Sequence, residues 1–157
     1  MFNHPFLLTP SSWLGQGRIQ LNMVDEELSF VTKWNVGNCD SEGRIECIQE
    51  IQIKGLSDVM HNQFNIFDVN CGEFQIQLEN DALGKVSGKG LINEKIIAWE
   101  FRVEDMGFEG FELYEKQNEQ NYLMRAEYAT ADQFRTLIQG NVWRQMEQQN
   151  QKGNGKI

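Results

Sequence analysis

The sequence predicts an all-β fold, a single antiparallel up-and-down β-barrel of about ten strands. Three observations point there. Short segments alternate apolar and polar residues, roughly one every 12 residues from Trp13 to Trp143. Turn signals such as Gly37-Asn38-Cys39-Asp40-Ser41-Glu42-Gly43 and Asn70-Cys71-Gly72 separate them. Glycines recur on the apolar faces of strands: Gly15, Gly17, Gly88, Gly90 and Gly140. A core-facing glycine buries no side chain and marks a coiled bend or a close approach. Strands linked by sequential hairpins leave two open edges, and pairing the first strand with the last removes both.

The first strand is expected over 13–22, with Trp13, Gly15, Gly17, Ile19 and Leu21 on one face. The second, 27–36, aligns Leu28, Phe30, Thr32 and Trp34; the third, 44–53, aligns Ile45, Cys47, Gln49, Ile51 and Ile53. Residues 54–60 lack a period and could hold a helical turn. The fourth strand, 61–69, puts Asn62 in phase with Phe64 and Ile66. The fifth, 73–79, alternates most cleanly, and the sixth spans 83–92. Asn93-Glu94 is a candidate two-residue hairpin. The seventh strand, 95–103, places Ile97, Trp99, Phe101 and Val103 together. The eighth and ninth, 108–116 and 122–129, flank a turn over 117–121. Residues 130–143 read best as a tenth strand, since Thr136 and Val142 favour strands and Gly140 weakens a helix. A short C-terminal helix is the alternative, capped by Thr130 with Gln133 completing a capping box. The barrel domain is assigned to 1–148, and 149–157 is expected to be a disordered tail.

Composition bounds the function. At 157 residues, 40% hydrophobic and 24% charged, the chain can bury one real core. A net charge of −9 excludes the basic footprint that nucleic acid or an anionic membrane surface requires. Cys39, Cys47 and Cys71 are odd in number and irregularly spaced, which fits a reducing compartment; the expected location is cytoplasmic. The N-terminus has no Lys or Arg before its short apolar stretch and does not read as a signal peptide.

The pattern, with Trp13-Leu14-Gly15-Gln16-Gly17 in its first strand, resembles the calycin superfamily of lipocalins, fatty-acid-binding proteins, avidins and nitrobindin-like barrels. Phe6, Leu7 and Leu8 would plug one barrel end, and 135–143 would pair with the first strand. The lipocalin signature runs Gly-x-Trp, whereas here the order is Trp-x-Gly. A haem barrel of the nitrobindin type would need a late-strand histidine, and the two histidines, His4 and His61, lie early. The resemblance implies a fold and a habit of holding a ligand.

Polar groups in phase with apolar ones are the candidate interior. The candidate ligand-binding set is Thr32, Trp34, Gln49, Asn62, Phe64, Trp99, Glu112, Tyr114, Tyr128 and Thr136. Apolar walls with a few orienting polar groups suit a small apolar or amphipathic molecule. No cofactor and no metal site is expected, because no ligand-spaced cluster, nucleophile elbow or phosphate loop occurs. Two other readings stand beside this one. A filled barrel could act as an interaction or homodimerisation module through outward Leu14, Val31, Ile48, Leu91, Leu123 and Leu137. An enzyme, the less favoured reading, would use Glu112 near Tyr114 as general acid or base.

Overall fold

A computed structural model of the chain describes residues 3–132 and 134–146. Ten strands follow one another: β1 (Ser11–Leu21), β2 (Glu27–Cys39), β3 (Ile45–Ile53), β4 (Val59–Phe67), β5 (Glu73–Asn80), β6 (Gly84–Ile92), β7 (Ile96–Val103), β8 (Phe108–Asn118), β9 (Asn121–Ala129) and β10 (Arg135–Arg144). Each pairs antiparallel with its sequence neighbours, and β1 closes on β10, so the sheet is a complete barrel. The expected fold class holds. The residues that alternate as apolar in the sequence face inward, because strand side chains change face at every residue.

Several local expectations change. The expected tenth strand forms in place of the alternative helix, but it begins later: the backbone N–H of Thr130 donates to the carbonyl of Phe134 at 3.0 Å, which closes a turn, and β10 follows from Arg135. Gln133 and the expected tail, 149–157, lie outside the described residues. Residues 54–58 form an irregular loop without a helical turn, and β4 starts at Val59. β2 runs through Gly37 and Asn38 to Cys39 by way of a bulge after Val36. The turn that follows is held by the Asp40 carboxylate, which accepts from the N–H groups of Glu42 at 2.8 Å and Arg44 at 2.9 Å. The β6–β7 turn is centred one residue later than expected, with the Asn93 side-chain oxygen accepting from the N–H groups of Lys95 and Ile96.

The two barrel ends differ. The loops β2–β3, β4–β5, β6–β7 and β8–β9 share one end with the chain N-terminus, which plugs it. Phe6 and Leu7 are fully buried there. The Phe6 ring meets Trp13, Trp34, Tyr114 and Tyr122 at centroid distances of 4.6–5.4 Å. His4 locks the plug in place. Its Nε2 lies 2.6 Å from the Asn93 carbonyl, which can only accept, so Nε2 carries the proton. Its Nδ1 then accepts from the Tyr122 hydroxyl at 2.9 Å. Burial holds the His4 pKa below its ordinary value, so the ring stays neutral.

Closure depends on a glycine pair. Gly17 and Gly140 face each other across the β1–β10 seam. A Cβ on Gly140 would lie 2.3 Å from the Gln16 carbonyl oxygen, and one on Gly17 would lie 2.2 Å from that of Gln139. No side chain fits where the two backbones coil so closely. Gly140→Ala is expected to destabilise the barrel by about 2–3 kcal/mol in urea unfolding, the upper range for overpacking a tight site. Gly37→Ala, within β2 where an added Cβ meets only the Glu46 carbonyl oxygen at 3.1 Å, calibrates the effect of a Gly→Ala change in a strand. Equal losses in the two variants would remove the seam from the account.

Candidate functional site

At the end opposite the plug, the mouth, the inward residues Leu28, Ile51, Val103, Tyr128, Thr136 and Ile138 are half-buried. Below the mouth the barrel is filled. Trp34 stacks on Phe64 at 5.2 Å, Trp99 stacks on Tyr114 at 5.2 Å, and Trp34 meets Trp99 edge-on at 6.3 Å. Trp34, Phe64 and Trp99 thus form a packed floor across the barrel.

All ten candidate residues lie on the inward faces of their strands, and most fall into three groups. The first is the floor. The second is a one-way hydrogen-bond ladder across β5, β4, β3 and β2. The N–H of Leu83 donates to the Asn80 side-chain oxygen at 2.8 Å, and the Asn80 amide donates to Asn62 at 2.9 Å. Asn62 donates to Gln49 at 3.0 Å, Gln49 to the Thr32 hydroxyl at 3.2 Å, and Thr32 to the Glu50 carbonyl at 2.8 Å. Each group supplies the partner its neighbour needs, which removes the penalty for burying amides. The ladder is self-sufficient without a ligand.

The third group centres on Glu112. Its side chain projects inward from mid-β8 and is 5% exposed. One carboxyl oxygen accepts from the Tyr114 hydroxyl at 2.8 Å, and the other accepts from the Tyr128 hydroxyl. Tyr128 reaches it because Gly110, its cross-strand partner, leaves room: a Cβ there would lie 2.2 Å from the Tyr128 ring. The ring also stacks on Phe108 at 5.9 Å. The indole N–H of Trp99 lies close enough to favour the charged carboxylate but outside hydrogen-bond geometry. It and the Trp34 N–H are buried donors without a partner. Each such donor costs about 1–3 kcal/mol unless something accepts from it.

Burial dominates the electrostatics. It pushes the Glu112 carboxyl pKa up, against the lowering effect of the hydrogen bonds from Tyr128 and Tyr114 and of the Trp99 N–H dipole nearby. Burial first, and Glu112 second, hold the hydroxyls of Tyr114 and Tyr128 protonated far beyond neutral pH. Thr136 stands at the mouth as the β10 neighbour of Tyr128. Sequence reasoning missed Asn80, which looked like turn but continues the Phe74-Ile76-Leu78 phase. It also missed the lock made by His4 and Tyr122, whose partners are distant in sequence.

Outside the barrel, β8, β9, β10, β1 and β2 border a shallow concavity of about 1280 Å³ lined by Val31, Leu113, Leu123 and Leu137 among polar neighbours. Val31, Leu91, Leu123 and Leu137 are exposed, whereas Leu14 and Ile48 are half-buried. His61 is exposed beside Glu50 at 3.5 Å. Among the described residues no group of three or more His, Cys, Asp or Glu could hold a metal ion. Cys39, Cys47 and Cys71 are unpaired, and burial pushes the Cys47 thiol up to about 12.

No protein-family model matches the chain, and no curated protein sequence does. The solved structure of an S-type phycobiliprotein lyase from Guillardia theta is similar, with a TM-score of 0.66 over 88% of this chain and 89% of that one, at 8% sequence identity. At that identity the likeness is one of fold alone.

The Glu112 carboxyl makes stability depend on pH in a stated direction. Its pKa is raised in the folded state, so its favourable contribution is complete below the unfolded value near 4.5 and is lost as pH rises through the folded value. Glu112→Gln keeps the size and an acceptor but cannot ionise. The variant is expected to gain stability over wild type between pH 5 and 8 in urea unfolding, with the gap closing at about pH 4. A constant gap across that range would mean that the carboxyl does not titrate differently on folding.

Proposed function

We propose that this chain is a binding protein that holds a small, mostly apolar ligand in a vestibule inside the mouth half of its barrel. One observation carries the reading: inward side chains around the mouth remain solvent-accessible above a buried carboxyl group and two unpartnered indole donors. The carboxyl keeps acceptor capacity beyond its two tyrosines, and the indole N–H groups keep a proton to donate; a ligand or its waters would use both. That a barrel of this fold is a phycobiliprotein lyase agrees with the reading without specifying the ligand. Three unpaired cysteines support an intracellular setting.

The reading is tested with phenylnaphthylamine, a neutral apolar dye that fluoresces on leaving water. Wild type is expected to bind one equivalent at low micromolar concentration, quenching Trp99 and Trp34. Ile138→Trp, which fills the vestibule from β10, is expected to weaken binding at least about tenfold. Dye binding unaffected by Ile138→Trp would place the dye elsewhere and count against the interior.

A second reading is favoured by the outer concavity and its exposed Val31, Leu123 and Leu137. An outer wall of that kind suits self-association. Sedimentation equilibrium should then detect a dimer that Leu137→Glu dissolves; a strict monomer at high concentration would eliminate it.

A further inference from the structure

We propose that the ligand of this barrel is a cationic amphiphile, an amine or another positively charged N–H donor on an apolar body, seated with its charge on Glu112. The proposal rests on the interior-carrier reading above and adds the ligand class to it.

Two independent observations lead there. The first is the carboxyl group itself. Glu112 is buried, and its recorded partners are neutral hydroxyls, one on each oxygen. A carboxylate accepts about four hydrogen bonds, so capacity remains on both oxygens. Among the described residues no ion pair involves it. The inward-facing Lys116 lies toward the plugged end, where its ammonium is held by the Asn3 carbonyl at 2.9 Å and by Glu119 at 2.7 Å. The protonated Nε2 of His4 is likewise committed to Asn93. The same barrel satisfies its opposite wall with neutral amides from Gln49, Asn62 and Asn80. A carboxyl in place of such an amide adds one property, a negative charge for a cation to meet. Buried charges are stable only when paired.

The second observation is the mouth. The loops β1–β2, β3–β4, β5–β6, β7–β8 and β9–β10 all lie at this end. They carry Asp25, Glu26, Asp58, Asp81, Glu104, Asp105 and Asp132 against the single cation Lys54. A ring of one sign attracts the opposite charge and repels its own. Apolar side chains stand among these acids: Met23, Val24, Leu56, Val59, Met60 and Met106 are all at least 40% exposed. The entrance therefore suits an apolar body bearing a positive charge, and it opposes fatty acids and other anions.

The test uses three probes of equal chain length, dodecylamine, dodecanol and dodecanoate, each titrated as monomer by calorimetry at neutral pH. Wild type is expected to bind the amine about tenfold or more tighter than the alcohol, the range of one charge-assisted hydrogen bond, and the carboxylate weakest of the three. Glu112→Gln is expected to bring the amine level with the alcohol. Equal binding of alcohol and amine by wild type, or an amine preference that survives Glu112→Gln, overturns the proposal and leaves the carrier reading standing. Failure of all three probes overturns the carrier reading, and the proposal with it. Should Glu112→Gln not fold, Tyr128→Phe frees one carboxyl oxygen and keeps the charge. It is expected to raise the amine preference severalfold, and an unchanged preference would overturn the seat on Glu112.

Discussion

Strands linked in sequential hairpins expose two edges of unpaired N–H and C=O groups, and in this barrel those edges satisfy each other. β1 and β10 pair from Trp13 and Arg144 to Leu21 and Thr136. Everything inside depends on that seam. It fixes which side chains point inward on all ten strands, since a slip of one residue would turn each inner face outward. It also fixes the local curvature, because the backbones at Gly17 and Gly140 approach too closely for any Cβ. The N-terminal segment can act as a plug only because the closed seam presents Trp13 to Phe6.

Closure creates an interior, and side chains pack most densely toward its plugged end. Aromatic rings from the plug, β1, β2, β4, β7, β8 and β9 pack the lower half, with Trp34 and Trp99 forming the upper surface of that packing. Toward the mouth the same inward faces become polar or half-exposed. The two polar groups there follow different logic. The amide ladder from Asn80 to Thr32 closes on itself and ends on backbone at both ends, so it needs nothing more. The Glu112 cluster does not close: a carboxyl held by two tyrosines lies beside a tryptophan N–H that has no partner. The site is read from that difference in completeness.

Much of this was legible in the sequence. Period-two alternation in residues such as Phe74, Ile76 and Leu78 needs no tertiary information, and it assigned every candidate residue to an inner face. The plug was legible too, as an apolar stretch ahead of the first strand. Element ends were less so. Asp40 set a turn through its own side chain after β2 had absorbed Gly37 and Asn38, and no periodicity reveals such a bond. The choice of strand over helix for 130–143 was settled by Gly140 facing Gly17, a pairing remote in the chain. Within the site, phase showed that Gln49 and Glu112 both point inward. It could not show that one is fully partnered and the other is not, because that depends on neighbours across strands.

What decides the function is whether the mouth half of the barrel holds a small molecule. Native mass spectrometry of the protein isolated from its own cells, followed by denaturing release, tests it most directly. The expected species is heavier than the chain by one small molecule, released on unfolding as a cationic amphiphile. A mass equal to the bare chain, together with full protection of the Glu112 region from solvent exchange in that same sample, would contradict it, because the vestibule would then be neither occupied nor open.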